Sequence, residues 1–377
     1  MKSLILINSG ESGGAEKVVS ILSHTLTKDS TGIVFIKNNV FHEFNNNLNY
    51  FTLDENKNKK NRSILLLALK LKKIIKANDI RIVQSHMYRS NYINILAKIL
   101  GSKHEVQIVN CDCVSTKYTH GIKSILSKLM IRLLYRFSNI TITKSKAMLE
   151  DLKKYTRIKN EQVIYNPIDI TKINKLSTVS STIFNRNDYD FTKIIVNVGR
   201  FHPQKRQKDI IIALSHLDKS YGLVLIGDGE ELLDCKNLAK ELNVSDQIIF
   251  TGNLKNPFSV ISQCDLFIVS SSCEGFPNAL VEAMACGLPI ISSDHLTGAK
   301  EILSKQTDLL NIKQYNDSFS CEEYGILYPV GNTFELTAAV KHIFSNNLIK
   351  YYSEKSKDRA SNYDAPTAIA KYIELLS

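Results

Sequence analysis

A chain of 377 residues, 44% of them hydrophobic, is globular and exceeds the roughly 250–300 residues at which single cores stop growing, so two domains are expected. The seven cysteines (Cys111, Cys113, Cys235, Cys264, Cys273, Cys286 and Cys321) are odd in number and form no Cys-x-x-Cys pair, so neither a disulfide framework nor a zinc site is expected and a reducing cytoplasm fits best. The net charge is +11, yet no interleaved aromatic platform, nucleic-acid signature or tryptophan accompanies it, so nucleic acid is not expected as a partner.

In chain order, short apolar runs alternate with helix-like stretches. The first half offers Leu4 to Ile7 and a helix from about Ala15, then Gly32 to Ile36, Arg81 to Gln84, Val106 to Val109, Ile140 to Thr143 and Val163 to Tyr165. The second half repeats the pattern with Ile194 to Val198, Leu223 to Ile226, Ile248 to Phe250, Leu266 to Val269 and Pro289 to Ser292. Such alternation predicts an α/β chain of two Rossmann-like domains, each a parallel sheet wrapped by helices. The polar stretch from Thr171 to Asp190 reads as a linker. The expected division is 1–170 for an N-terminal domain, 191–350 for a C-terminal domain, and 351–377 for closing helices.

No apolar run approaches ~18 residues and no cleavable signal pattern follows Met1, so neither a membrane span nor secretion is expected. Charge is unevenly shared. Residues 1–180 carry 29 Lys+Arg against 13 Asp+Glu, and the remainder carry 19 against 24, so the first half should face something anionic, with a phospholipid surface as the best candidate. Ile122 to Phe137 places Ile122, Ile125, Leu126, Leu129, Met130, Leu133, Leu134 and Phe137 on one helical stripe, flanked by Lys128, Arg132 and Arg136. Leu65 to Lys76 is similarly apolar and lysine-rich. Either segment reads equally as a lipid-facing helix or as an ordinary amphipathic helix packed on a sheet.

Four segments carry chemistry. Gly10 to Glu16 follows the first strand and opens a helix, so Gly13 and Gly14 can bring backbone N–H groups close to a phosphate or sugar. Gly199, Arg200 and Lys205 follow a buried strand, and both cations can converge on one leaving diphosphate without a metal. His86 follows another strand end, where it reads equally as a structural histidine or as one that points into a cleft. The densest segment is Ser271 to Ile290, in which Glu274 and Glu282 bracket the Gly275-Phe276 turn and a helix start with Pro277 at its first position. Backbone N–H groups near Asn278, Ala279 and Leu280 would be left unpaired to receive a diphosphate. One glutamate would then take hydroxyls of a transferred sugar and the other those of a ribose. The triplet Asp188-Tyr-Asp190 lacks the strand context of a metal-binding Asp-x-Asp and reads as chance.

The Glu-x7-Glu segment resembles that of retaining glycosyltransferases of family 4, which have the GT-B fold of two Rossmann-like domains with parallel sheets facing across a cleft. The resemblance assigns Glu274 to donor-sugar hydroxyls and Glu282 to the nucleotide ribose. Gly199, Arg200 and Lys205 match the family's Gly-Arg-x4-Lys pattern, and the Gly-Gly-Ala-Glu loop ending at Glu16 is similar to one that faces donor diphosphate and acceptor. Turns at Gly227 and Gly252 resemble those lining the nucleotide base pocket. Where relatives carry a sugar-contacting histidine, this chain has Asp112. The final segment, Thr367 to Leu376, is expected to cross back to the first domain. Together with Ser292 to Ile302 and Glu323 to Val330, which look like bacterial surface-polysaccharide enzymes, the resemblance implies a metal-independent transferase. Its donor would be a UDP-sugar and its acceptor a saccharide on polyprenyl diphosphate, at the inner face of the cell membrane. A nucleotide-sugar epimerase of the same fold and a catalytically idle membrane-bound partner subunit remain as alternatives.

Overall fold

The computed structural model describes residues 1–11, 13–55, 63–119, 121–305 and 318–377. It divides into two compact units, Met1–Pro167 together with Ala365–Ser377, and Ile168–Asp364.

The first unit is built on seven strands: β1 (Ser3–Ile7), β2 (Thr31–Lys37), β3 (Asn49–Asp54), β4 (Ile82–His86), β5 (Glu105–Asn110), β6 (Ile140–Thr143) and β7 (Glu161–Val163). All pair in parallel, in the order β3-β2-β1-β4-β5-β6-β7. Side-chain alternation sends Ile5 and Ile7 to one face, where helix Gly14–Ser23 and the C-terminal helix Ala365–Leu376 cover them with Val18, Leu22 and Tyr372. Leu4 and Leu6 go to the other face, against Leu67, Leu71 and Ile75 of helix Ile64–Ala77 and Ile93 of helix Tyr88–Ile99. Burial on both faces explains why these strands read as unbroken apolar runs.

The second unit repeats the plan with β8 (Lys193–Val198), β9 (Tyr221–Ile226), β10 (Ile248–Gly252), β11 (Leu266–Val269), β12 (Ile290–Ser293), β13 (Ser320–Glu322) and β14 (Gly325–Tyr328). Their order is β10-β9-β8-β11-β12-β14-β13, parallel except for the β13–β14 hairpin. In both sheets the order turns back between the first and fourth strands, β1/β4 and β8/β11, and ligands of doubly wound sheets collect beyond the carboxyl ends at such a point.

Several expectations differ from what is observed. The stretch expected as a linker is packed structure of the second unit. Helix Ile170–Ser177 buries Ile173, Phe184 is buried, and Asn256 Nδ2 and Gln263 Nε2 donate to the Leu176 and Phe184 carbonyls at 2.9 and 3.2 Å. Helix Ile349–Ser361 belongs to this unit, whereas Ala365–Leu376 belongs to the first. Strands β3, β13 and β14 were not anticipated: β3 and β13 are partly exposed edge strands and lack an apolar run. The strand expected from Val163 to Tyr165 ends at Val163 instead.

Candidate active site

At the switch point of the second sheet, β8 and β11 lie side by side, with Leu266 opposite Ile195 and Phe267 opposite Val196. The loops that leave their carboxyl ends are stitched together. Ser270 Oγ donates to the Lys205 carbonyl at 2.7 Å, the Ser272 N–H to the Gln204 carbonyl at 2.8 Å, and Gln204 Nε2 to the Cys273 carbonyl at 2.5 Å. This lacing brings two residues 69 positions apart into contact: Lys205 Nζ donates to Glu274 Oε1. Ser271 Oγ donates to the same oxygen at 2.7 Å, and Thr297 Oγ1 donates to the Glu274 carbonyl. Both groups are largely buried, with side-chain exposures of 29% for Lys205 and 13% for Glu274.

Burial acts to raise the Glu274 carboxyl, but Lys205, the neighbouring His295 and the Ser271 hydroxyl outweigh it and hold the group below its ordinary value. His295 is 1% exposed; burial lowers its pKa, and its Nδ1 lies 3.0 Å from the Ser293 carbonyl. A depressed carboxyl contributes stability that is complete above its unfolded value and lost as pH falls through the folded one. The difference in unfolding midpoint between wild type and Glu274→Gln is therefore expected to be constant above about pH 4.5 and to shrink below it, as measured by thermal melts across pH 3 to 7. A gap that widens on acidification contradicts the assignment.

The other cations on this loop differ in character. Arg200 is exposed and its guanidinium has no acid partner among the described residues, so it is available to a ligand. Arg206, by contrast, is engaged in two hydrogen bonds with Asp209, at 2.7 and 3.1 Å. Gly199 leaves only ordinary contact distance to Gln207 and Lys205, whereas Gly227 is held against the Gly199 carbonyl. Gly252 accepts the Gly227 N–H at 2.9 Å, and a side chain there would meet open space.

Past Gly275 and Phe276, helix Asn278–Ala285 starts one residue later than expected, with Pro277 as its N-cap. Two of the N–H groups expected to be unpaired are used within the turn: Asn278 donates to Phe276 and Leu280 to Pro277, each at 3.0 Å. Ala279 has no such backbone acceptor among the described residues. Glu282 lies on the second turn and is 8% exposed. The helix closes with Gly287 N–H on the Met284 carbonyl and Leu288 N–H on that of Ala283, the pairing of a Schellman cap.

In the first unit, Gly13 precedes helix Gly14–Ser23, and the Glu16 carboxylate folds so closely over it that a β-carbon at Gly13 would lie 2.1 Å from Oε2. Burial, with Glu11 and Asp112 adding to it, raises the Glu16 carboxyl, so Glu16 and Asp112 are within electrostatic reach of each other. Asp112 is ion-paired with Lys117. Of the two readings of His86, its burial supports the structural one. It is fully buried, with Nε2 3.1 Å from Gln84 Oε1 and its ring 6.1 Å from that of Tyr372 on the C-terminal helix. Beside it, Lys144 is buried with Nζ donating to the Tyr372 hydroxyl, and burial brings its pKa down to about 8. The residue after His86, Met87, has φ +76°, an unusual conformation for a residue with a side chain. Sequence reasoning missed Ser271, His295, Thr297, Lys144 and Met87. The first stands three residues before Glu274, a spacing that a turn closes, while the others have no local signature.

Residues 181–358 match the family model described as "Glycosyl transferases group 1", and residues 12–172 that described as "Glycosyltransferase Family 4". The N-acetylgalactosamine-N,N'-diacetylbacillosaminyl-diphospho-undecaprenol 4-alpha-N-acetylgalactosaminyltransferase of Campylobacter jejuni is 29% identical over 369 residues, 96% of this chain and 95% of that protein. The lipopolysaccharide 1,6-galactosyltransferase of Escherichia coli is 31% identical over 147 residues, 37% of this chain and 38% of its own. Among solved structures, HepE of Anabaena in complex with UDP and glucose superimposes with a TM-score of 0.77 at 20% identity, covering 100% of this chain and 99% of that one. Two family models over the two sheets, relatives named as glycosyltransferases and a shared fold identify this chain as a glycosyltransferase of family 4 with the GT-B fold.

Proposed function

We propose that the enzyme moves a hexose or N-acetylhexosamine from a UDP-sugar to a saccharide carried on polyprenyl diphosphate, in the synthesis of O-antigen, capsule or a related surface polysaccharide. The second unit takes the donor and the first the acceptor. The observation that carries this reading is the contact of Lys205 with Glu274 at the sheet's switch point, with the unpaired Arg200 on the same loop. Lys205 and Arg200 neutralise the charge that builds on the departing diphosphate, and Glu274 accepts hydrogen bonds from sugar hydroxyls. With two cations serving the leaving group, the transfer proceeds without a metal. No residue of the site is an obvious general base, so a donor phosphate oxygen takes the acceptor's proton and the acceptor attacks on the leaving-group face, retaining configuration. The Campylobacter relative, named for an alpha-linked transfer to a diphospho-undecaprenol saccharide, supports the acceptor class.

The test is transfer of radiolabel from a panel of UDP-sugars to a lipid extract in EDTA, comparing wild type with Glu274→Ala and Lys205→Ala. Labelled lipid that depends on both residues is the expected result and names the donor. A converted nucleotide sugar without lipid product identifies an epimerase, and no turnover with any donor overturns the reading.

The enzyme works at the inner membrane face as a peripheral protein. Among the described residues no helix is long and apolar enough to cross a membrane. Helix Ile122–Leu134 turns Ser124 and Ile131 inward and leaves Ile122 78% and Ile125 67% exposed, with Leu126, Leu129 and Leu133 also outside. Met130 and Leu134 pack inward, but the rest of its apolar stripe is exposed, and Lys128 and Arg132 flank it, a pattern suited to anionic lipid. Helix Ile64–Ala77 is packed through Leu67, Leu71 and Ile75, and Lys70 and Lys72 donate to the Leu53 and Leu100 carbonyls, while Leu65, Leu66 and Leu69 stay outside. Ile125→Asp with Leu126→Asp is expected to weaken co-sedimentation with phosphatidylglycerol vesicles at least about tenfold, whereas Leu66→Asp should have a smaller effect.

A further inference from the structure

The first unit holds a second concave feature. A cleft of about 1050 Å³ lies against β2 and β3 and the segment 38–47 that follows β2. That segment is built into the fold. Gly10 N–H donates to the Asn39 carbonyl and Phe41 N–H to that of Gly10, both at 2.7 Å, tying it to the glycine loop. Farther on, Asn45 binds Ser23 through its N–H and its side-chain amide at 3.1 and 3.2 Å, and the Tyr50 hydroxyl donates to the Asn45 carbonyl at 2.6 Å. The apolar wall is ordered too, with Phe44 edge-on to Phe35 at 5.3 Å and Tyr50 stacked on Phe35 at 6.0 Å.

What remains unused is distinctive. The side-chain amides of Asn38, Asn46 and Asn47 have no hydrogen-bond partner among the described residues, although all three line the cleft. His42 lies against the Gly13 main chain at the back of the cleft. No lysine or arginine lines the cleft, in a half of the chain with 29 basic against 13 acidic residues. A phosphate site would use such cations. Amides that both donate and accept, beside aromatic faces and without positive charge, suit an uncharged polyhydroxyl ligand. The volume is at the upper limit of the roughly 300–1,000 Å³ typical of small-molecule sites, room for more than one sugar.

The geometry points to this cleft as the binding site for the uncharged saccharide portion of the acceptor, with Asn38, Asn46 and Asn47 as its hydrogen-bond partners and Tyr50 and Phe44 as its stacking wall. The inference rests on the transferase reading and adds the residues that select the acceptor. Its test is saturation-transfer NMR of the full chain with a panel of uncharged di- to tetrasaccharides of hexose and N-acetylhexosamine, with UDP affinity measured on the same samples. Wild type is expected to bind at least one oligosaccharide, undisplaced by UDP, and Asn38→Ala with Asn46→Ala to weaken it at least tenfold. Asn46→Trp, which fills the cleft from an exposed position, should do the same. Oligosaccharide binding unchanged in these variants, displaced by UDP, or absent from wild type overturns the assignment. Failure of the donor reading appears separately, as absence of UDP binding.

Discussion

Lys205→Ala is expected to lower kcat for sugar transfer by about 10²–10³-fold, the effect of removing one preorganised group that stabilises charge in a transition state. Two consequences follow from the geometry. The ammonium proposed to face the departing diphosphate is lost, and Glu274, 13% exposed, is left with Ser271 and the neighbouring His295 as its remaining support. A carboxylate stripped of its cation in a buried position costs about 1–3 kcal/mol, so the unfolding midpoint should fall as well. The carboxyl also shifts upward, because burial is its largest single influence and Lys205 the first that opposes it. The acid limb of the rate profile should therefore move to higher pH in Lys205→Ala. Glu274→Gln separates the roles, since the amide keeps an acceptor for Ser271 but gives up the charge that binds Lys205. Steady-state rates at saturating donor, with melts on the same preparations, distinguish chemistry from folding. Activity of Lys205→Ala within fivefold of wild type would remove this residue from the site.

Much of the fold was legible because its strands are buried on both faces. Leu4 to Ile7 and Leu266 to Val269 leave no polar position to confuse the pattern, and each is followed by a glycine-bearing loop. Edge strands carry no such run, which is why Asn49–Asp54 and Ser320–Glu322 escaped notice. The site was legible to the extent that its residues sit in short segments: Glu274 and Glu282 share one turn and helix, and Arg200 and Lys205 one loop. That Lys205 would meet Glu274 was beyond sequence, because strand order rather than chain order sets β8 beside β11. His86 shows the converse. It was expected just past a strand and is the last residue of β4, but the helix that buries it begins at Ala365, about three quarters of the chain away.

Gly227 tests how the loop after β8 is held. Its φ is +140°, and a β-carbon there would lie 2.0 Å from the Gly199 carbonyl oxygen and 2.9 Å from its carbon. This is contact with backbone, which cannot rotate aside as a side chain can. The Gly199 N–H in turn donates to the Ile226 carbonyl at 3.0 Å, and the Gly227 N–H to that of Gly252 at 2.9 Å, so moving either glycine strains three strand ends. Gly227→Ala is expected to cost about 1–3 kcal/mol in backbone conformation alone, with the overlap in addition, and to displace Arg200, the residue after Gly199. Gly252→Ala is the matched control. Its φ of +70° is also left-handed, but the added carbon meets nothing within 4 Å, so only the roughly 1–2 kcal/mol of that conformation should be lost. Denaturant midpoints should therefore rank wild type, then Gly252→Ala, then Gly227→Ala. The folded fraction of Gly227→Ala should also show a reduced kcat, because Arg200, proposed to meet the diphosphate, no longer sits where β8 delivers it. Equal stability of the two variants would mean that Gly199 and Gly227 are not packed backbone on backbone, and the rigid positioning of Arg200 would lose its physical basis.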